Sequence, residues 1–413
     1  MIETTVCVIG AGPAGAAAAL QLQQFNIPCV VVDKAVFPRD KVCGDGLSGK
    51  VLTCLNRINP EIGTRLMEFQ AKQGSWGVTF VAPNRASLDV AYRPVYDKAQ
   101  EPSAAGYVCK RMDFDNFLVD ELKRCEQVQL FEGQSIDKYE LQPDGYVLRD
   151  NAGTFVVKAQ VVIVANGAHS GFTKEVAKIT MEPRHYIAGI RAYYQGVTGM
   201  HEDSFIELHF LDELLPGYFW IFPLPNGEAN VGVGVLSEVV RKKKLNLKKM
   251  LQDTLEKDPV LSKRFENAEL LGTVDGYGLP LGSKRRTLSG DRYMLTGDAG
   301  YLIDPFTGEG IGNALYSGRI AAQQVKAALE ANDFSATQLK KYDDEIYRVL
   351  GPELQLSTRM QKLVQRPWLF NLLLRIGMRN KQLRELMSCM FYEVDLRKRL
   401  TRPSFYLKLL LNR

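Results

Sequence analysis

The chain has 413 residues, 46% apolar and 24% charged, the balance of an ordinary globular protein of two or three domains; disorder and fibrous repeats are excluded. Its seven cysteines are scattered, without a C-x-x-C pair or a His-rich cluster, so neither a metal site nor a disulfide framework is expected. The net charge of +5 is uneven, because residues 359–413 carry 13 Lys/Arg against three acids and leave the preceding 358 residues net acidic. No apolar run approaches the ~18 residues that cross a bilayer, and no basic leader precedes the first apolar stretch, so a reducing, cytoplasmic location is expected.

An apolar β-type run from Met1 ends at Gly10-Ala11-Gly12-Pro13-Ala14-Gly15, an alanine-rich helix follows through Leu22, and a second strand, Cys29–Val32, stops at Asp33. This is a βαβ unit with G-x-G-x-x-G at its first turn and an acid about twenty residues on, the dinucleotide fingerprint in its proper context. Gly10 serves the tight turn, Gly12 lets the backbone approach a pyrophosphate, and Gly15 lets helix and strand pack closely. Ala14 stands at the helix start, where free N–H groups meet phosphate; Asp33, with Lys34 beside it, is placed for the adenosine ribose.

Residues 76–109 mix Gly, Pro, Arg and β-formers, and Phe114 to Arg124 reads as a helix. Residues 128–165 read as short strands about the turn Pro143-Asp144-Gly145, the last being the buried run Val161–Ala165 closed by Asn166-Gly167. Alternating segments between 186 and 236, among them Ser204–Phe210 and Ala229–Val233, predict an antiparallel sheet, and 238–267 is helical and charged. The nucleotide domain resumes at Tyr293–Asp298, followed by Pro305–Ile311 and a helix to about Glu330. The expected fold is α/β, a Rossmann-like cofactor domain split over 1–75, 105–180 and 275–330. An antiparallel-sheet substrate domain (76–104 and 181–274) is interleaved with it, and a helical, basic C-terminal region covers 331–413.

In that last region Leu383, Leu386, Met387, Met390, Phe391 and Val394 share one helical face, flanked by Arg379, Lys381, Arg384 and Arg397-Lys398-Arg399. A second apolar cluster, Trp368–Phe370 with Leu372–Leu374, follows Pro367, and Phe405–Leu411 ends the chain. Such a region suits either packing on the body or contact with an anionic membrane surface. His169, His185, His201 and His209 show no ligand spacing.

The Gly10–Gly15 fingerprint with Asp33, the Gly297-Asp298 turn and the Gly308-Glu309-Gly310 loop resemble the FAD signatures of flavoproteins with the p-hydroxybenzoate hydroxylase fold. Pro38-Arg39-Asp40-Lys41-Val42-Cys43-Gly44 and Tyr218-Phe219-Trp220-Ile221-Phe222-Pro223 are similar to the R-x-x-x-C-G and Y-x-W-x-F-P segments of the geranylgeranyl reductase family, which reduces isoprenoid double bonds. The resemblance covers about residues 1–330. It implies FAD as cofactor, with Asp298 toward the ribityl chain or pyrophosphate and Arg39 and Arg111 along the cofactor. Backbone N–H groups of Gly308, Gly310 and Ile311 would face the flavin pyrimidine edge. Asn166-Gly167 stands where aromatic hydroxylases place Asp-Gly, keeping the hydrogen-bonding shape and losing the charge.

Reduction of an unactivated alkene needs a hydride from the flavin and a proton for the other carbon. Cys43 is the sharpest proton source, since it follows Arg39 and Lys41, whose charges favour a thiolate, and precedes Gly44 on a flexible loop. A small buried core cysteine is the alternative, and Asp45 is either functional or a local turn former. Tyr218, Trp220 and Phe222 would share one face of a strand and form a wall for a long apolar substrate, with Tyr218 and Trp220 counted as catalytic. The implied activity is reduction of a polyprenyl, geranylgeranyl-type chain. An aromatic monooxygenase or halogenase, or an inert FAD-binding protein, is the competing reading. The electron donor, NAD(P)H or a ferredoxin-like protein, leaves no second fingerprint.

Overall fold

The computed structural model describes residues 1–93, 101, 103–380, 383–385, 387 and 388. The strand Ile2–Ile9 lies between Val156–Val164 and Cys29–Asp33, parallel to both, with Val6, Cys7, Val8 and Ile9 buried. Continuous apolar sequence is what a strand covered on both faces requires. The eight-stranded sheet runs Ser289–Gly290, Tyr293–Leu295, Val156–Val164, Ile2–Ile9, Cys29–Asp33, Val128–Glu132. The hairpin Lys138–Gln142 and Gly145–Arg149 is added antiparallel on Val156–Val164. The helices Pro13–Gln24 and Ile311–Ala331 cover one face of this sheet, and small residues let them close: a Cβ on Gly318 would stand 1.9 Å from the Ala14 carbonyl oxygen.

A seven-stranded sheet follows the order Glu269–Pro280, Tyr186–Gln195, Glu228–Leu236, Tyr218–Pro223, Ile206–His209, Gly77–Val81, Ser87–Ala91. Its pairs are antiparallel except for Ile206–His209 on Gly77–Val81. The strand Glu269–Pro280 runs through the division expected at 275, because it stays paired with Tyr186–Gln195 as far as Pro280. A small third sheet joins Gly46–Leu47, Gly106–Val108 and Gln73–Ser75. The helix expected from Phe114 begins at Arg111 (Arg111–Lys123), and this puts Arg111 in its first turn.

The C-terminal region continues as the helices Ala336–Val349, Gly351–Leu363 and Pro367–Arg379. The last turns Phe370 and Leu374 into the core beside Phe210, Trp220 and Phe222, and leaves Trp368, Leu372 and Ile376 exposed. Of the apolar face beyond it, Leu383 and Met387 are buried in that same core. Lys381, Leu386, Met390, Phe391, Val394, Arg397–Arg399 and Phe405–Leu411 lie outside the described residues. No helix among the described residues is long and apolar enough to cross a membrane.

Candidate active site

A cavity of about 830 Å³ runs from the Gly10–Ala14 turn, past Asp33 and Lys34, to Cys43, Trp220 and the Gly308–Ile311 loop. That is the size of a site for a large organic molecule. Gly10 holds φ +105°, and any Cβ there would meet the Ala165 carbonyl oxygen at 2.5 Å, so the turn excludes a side chain. The helix Pro13–Gln24 starts at Gly12 without a side-chain cap, which leaves its first N–H groups to an anion lying in the trough. Asp33 accepts from the Ala11 N–H at 2.7 Å and the Ala35 N–H at 2.9 Å, tying the first turn to the end of the second strand. It still faces the cavity with Lys34. A trough with an uncapped helix start, a close backbone approach and a carboxylate twenty-odd residues on fits a dinucleotide such as FAD.

The Gly308–Ile311 loop differs from expectation in one respect. The turn that begins at Asp304 consumes two of its donors, since the Gly308 N–H donates to the Asp304 carbonyl at 3.1 Å and the Glu309 N–H to Thr307 Oγ1 at 3.2 Å. Gly308 therefore contributes shape, at φ +73°, while the Gly310 and Ile311 N–H groups start the helix Ile311–Ala331 without a partner among the described residues. These two donors line the cavity and retain the role of facing negative charge. Behind the loop, Lys50 and Glu353 form a fully buried ion pair near Glu309. Burial pushes the Glu353 carboxyl up to about 7 against the pull of Lys50, and pushes Glu309 up as well.

The cations expected beside Cys43 are committed elsewhere. Arg39 Nη1 lies 2.6 Å from Asp115, and Lys41 Nζ lies 3.2 Å from Asp298 and over the Tyr277 ring. The guanidinium whose charge acts on Cys43 is that of Arg111, which lines the same cavity. Arg111 is buried and grips Asp115 through Nε and Nη2 at 2.8 and 2.7 Å, a bidentate pair one helical turn apart. Burial alone would raise the Asp115 carboxyl, but the charge and hydrogen bonds of Arg111, with Arg39 and Lys41, hold it below the usual range. Arg39 and Arg111 do lie along the trough, joined through one carboxylate. Asp298 is paired with Lys41 and does not cap the long helix, whose start is Gly310.

The strand Tyr218–Pro223 brings Tyr218, Trp220 and Phe222 to one face of the cavity with Cys43 and Gly44. Phe222 packs against both Gly44 and Gly46, where added Cβ atoms would stand 3.1 and 3.3 Å from its ring. Across the sheet Trp220 pairs with Gly232 and Tyr218 with Gly234. A Cβ on Gly232 would meet Trp220 Cζ2 at 2.3 Å, so the indole lies flat over a position that tolerates no side chain. The polar hydrogens of both aromatics are already committed: Tyr218 donates to the Thr307 carbonyl at 2.7 Å and Trp220 Nε1 to Asn230 Oδ1 at 2.8 Å. Burial also raises the Tyr218 phenol. The fold thus holds both aromatics by their polar hydrogens on the cavity wall that they share with Cys43. Phe210, stacked on Phe306 at 5.7 Å and against Phe370 at 4.6 Å, extends the apolar wall toward the C-terminal helices.

Sequence reasoning passed over Asn230, Tyr193 and Asp115. Asp45 is fully buried and accepts from Tyr193 Oη and Asn230 Nδ2, each at 2.7 Å. Burial pushes its carboxyl up to about 6, opposed by those two hydrogen bonds and by Arg191 and Arg111. The signals were present: an asparagine inside a β-forming run at 229–235, and an arginine four residues before an aspartate. The histidines do structural work, His209 bonding Glu207 at 2.8 Å and His201 stacking on Phe205, while His169 alone reaches the cavity wall.

Residues 188–276, which include the Tyr218–Pro223 and Glu228–Leu236 strands, match the model of the geranylgeranyl reductase catalytic domain. The chain is 30% identical over 325 residues to a menaquinone reductase of Mycobacterium tuberculosis, covering 77% of this chain and 75% of that one. It is 29% identical over 356 residues to digeranylgeranylglycerophospholipid reductase 1 of Methanopyrus kandleri, covering 83% and 86%. Among solved structures, a geranylgeranyl bacteriochlorophyll reductase-like protein of Thermoplasma acidophilum superposes with a TM-score of 0.80 at 22% identity, over 97% of this chain and 99% of that one. A flavin-dependent brominase superposes at 0.76 and 18% identity, over 94% and 93%; both likenesses show the shared fold.

Proposed function

The chain belongs to the geranylgeranyl reductase family of FAD-dependent oxidoreductases, and from that premise we propose that it saturates carbon–carbon double bonds in a polyprenyl chain borne by a lipid or quinone. The observation that carries this reading is the chamber itself, whose wall brings Cys43, Arg111, Trp220 and Phe222 together at one end of the dinucleotide trough. Gly10, Gly12, Ala14, Gly15, Asp33, Lys34, Arg39, Gly44, Arg111, Gly167, Asp298, Gly310 and Ile311 would hold FAD, with Gly308 shaping the loop. Bound FAD supplies the two electrons as hydride.

The protein's own residues supply the rest. Cys43 Sγ holds the proton that the second alkene carbon receives, and Arg111 steadies the sulfur as that proton leaves. Trp220 and Phe222 keep water from the reacting carbons, and Tyr218 fixes the Thr307–Gly308 turn. The outer face of the Pro367–Arg379 helix, with Trp368, Leu372 and Ile376 exposed beside Arg375 and Arg379, suits contact with an anionic membrane in which such substrates reside. The donor that reduces the flavin is NAD(P)H or a ferredoxin-like protein.

The test is anaerobic. Protein reduced with dithionite is mixed with geranylgeranyl diphosphate or a polyprenyl lipid extract, and flavin absorbance and product mass are followed. Reoxidation with two hydrogens gained per double bond supports the reading, whereas a flavin that stays reduced until oxygen enters points to the monooxygenase or halogenase alternative. Cys43→Ser should retain FAD and slow reduction by about 100-fold or more; wild-type turnover would remove Cys43 as the proton donor.

A further inference from the structure

Asn230 has no exposed surface, although it interrupts the apolar run Ala229–Val235. A buried amide persists there only with its hydrogen bonds made, and this one uses both donors: Nδ2 donates to the Cys43 carbonyl at 2.8 Å and to Asp45 Oδ2 at 2.7 Å. Oδ1 accepts from Trp220 Nε1 at 2.8 Å. The amide orientation is therefore fixed, because the reverse would set N–H against the indole N–H.

The loop it holds needs holding. Asp45 is a non-glycine residue at φ +66°, a left-handed conformation that persists when surrounding contacts enforce it. Those contacts are the Asn230 amide, the Tyr193 hydroxyl, the Arg111 N–H at 3.3 Å and the Cys109 N–H on the Asp45 carbonyl at 3.0 Å. Phe222, the cross-strand partner of Asn230, presses on Gly44 and Gly46. The Asn230 amide ties the loop to the aromatic strand by hydrogen bonds.

We propose that Asn230 is a positioning residue, a side-chain clamp that sets the Cys43 thiol and the Trp220 indole in one register across the chamber. The inference deepens the reading of Cys43 as proton donor and rests on it. With the Cys43 carbonyl released, the thiol loses its direction toward the substrate, and a displacement of about 1 Å at a reacting group costs up to about 100-fold in rate.

The experiment uses the full FAD-loaded chain. Asn230→Ala should lower kcat by about 10- to 100-fold with KM within about twofold. It should also change the rate of Cys43 alkylation by iodoacetamide, mapped by peptide mass with Cys125 as internal reference. Asn230→Asp preserves volume and the Trp220 bond but sets two carboxyls together. Its deficit relative to wild type should shrink as pH falls, when a shared proton replaces the lost N–H, and a purely structural role would not produce that trend. Wild-type kcat and Cys43 alkylation in Asn230→Ala, or a deficit in Asn230→Asp that does not vary with pH, overturns the proposal. Full activity in Cys43→Ser would instead remove the proton-donor reading, while the alkylation result still decides the clamp.

Discussion

Replacing Asp45 by asparagine should stabilise the protein at neutral pH and hardly at all in acid. The buried carboxyl titrates near 6 in the folded chain against an ordinary 3.8, chiefly because burial disfavours its charged form. A raised carboxyl binds its proton more tightly when folded, so its stabilising contribution is complete below the unfolded value and is lost as pH rises through the folded one. The shift of about two units corresponds to about 3 kcal/mol, of which about 2.5 kcal/mol falls between pH 4 and pH 7. The amide introduced by Asp45→Asn can keep an oxygen toward Tyr193 and Asn230, so any fixed cost of the substitution is the same at both ends and cancels. The assay is urea denaturation of wild type and Asp45→Asn at matched, saturating FAD, at pH 4 and pH 7. Glu353 also titrates in this range but is present in both proteins and drops out of the difference. An Asp45→Asn advantage that does not grow by at least about 1 kcal/mol between the two pH values would refute the reasoning.

Gly232→Ala drives a methyl to 2.2 Å from the Ile190 carbonyl and 2.3 Å from Trp220, and should cost about 1–3 kcal/mol in denaturation with a shifted Trp220 environment in fluorescence. Lys50→Met strands the Glu353 carboxylate in the core and should cost about 3–5 kcal/mol, whereas Lys50→Met with Glu353→Leu should recover most of it; equal losses in the two would contradict an ion-pair origin. Trp368→Ala with Arg375→Glu should weaken sedimentation with anionic vesicles, and wild-type binding should fall as salt rises; salt-independent binding unaffected by the substitutions would count against the helix as the contact.

What the sequence made legible was what depends on near neighbours. The Gly10–Asp33 unit announces itself because turn, helix start and acid lie within two dozen residues, and the Tyr218–Phe222 wall follows from simple alternation. Two of the ion pairs were not legible, because the partners are distant in the chain: Lys41 meets Asp298 257 residues away, and Lys50 meets Glu353 303 residues away. Arg39 and Lys41, near Cys43 in sequence, meet Asp115 and Asp298, while Arg111 from another element shares the cavity wall with Cys43. Alternation put Tyr218 and Trp220 on one face, but their hydrogen-bond partners, Thr307 and Asn230, are set by the fold and were not legible.

The central position of Ile2–Ile9 bears on how the protein is made. This strand is made well before its neighbour Val156–Val164, and the last wall of the cofactor trough follows later still with Gly308–Ile311. Until Val156–Val164 is made an apolar strand therefore waits with one edge open, the state in which a nascent chain pairs wrongly or calls on a chaperone. The trough is accordingly complete only once the chain has passed Ile311, so the full set of contacts to a dinucleotide forms late.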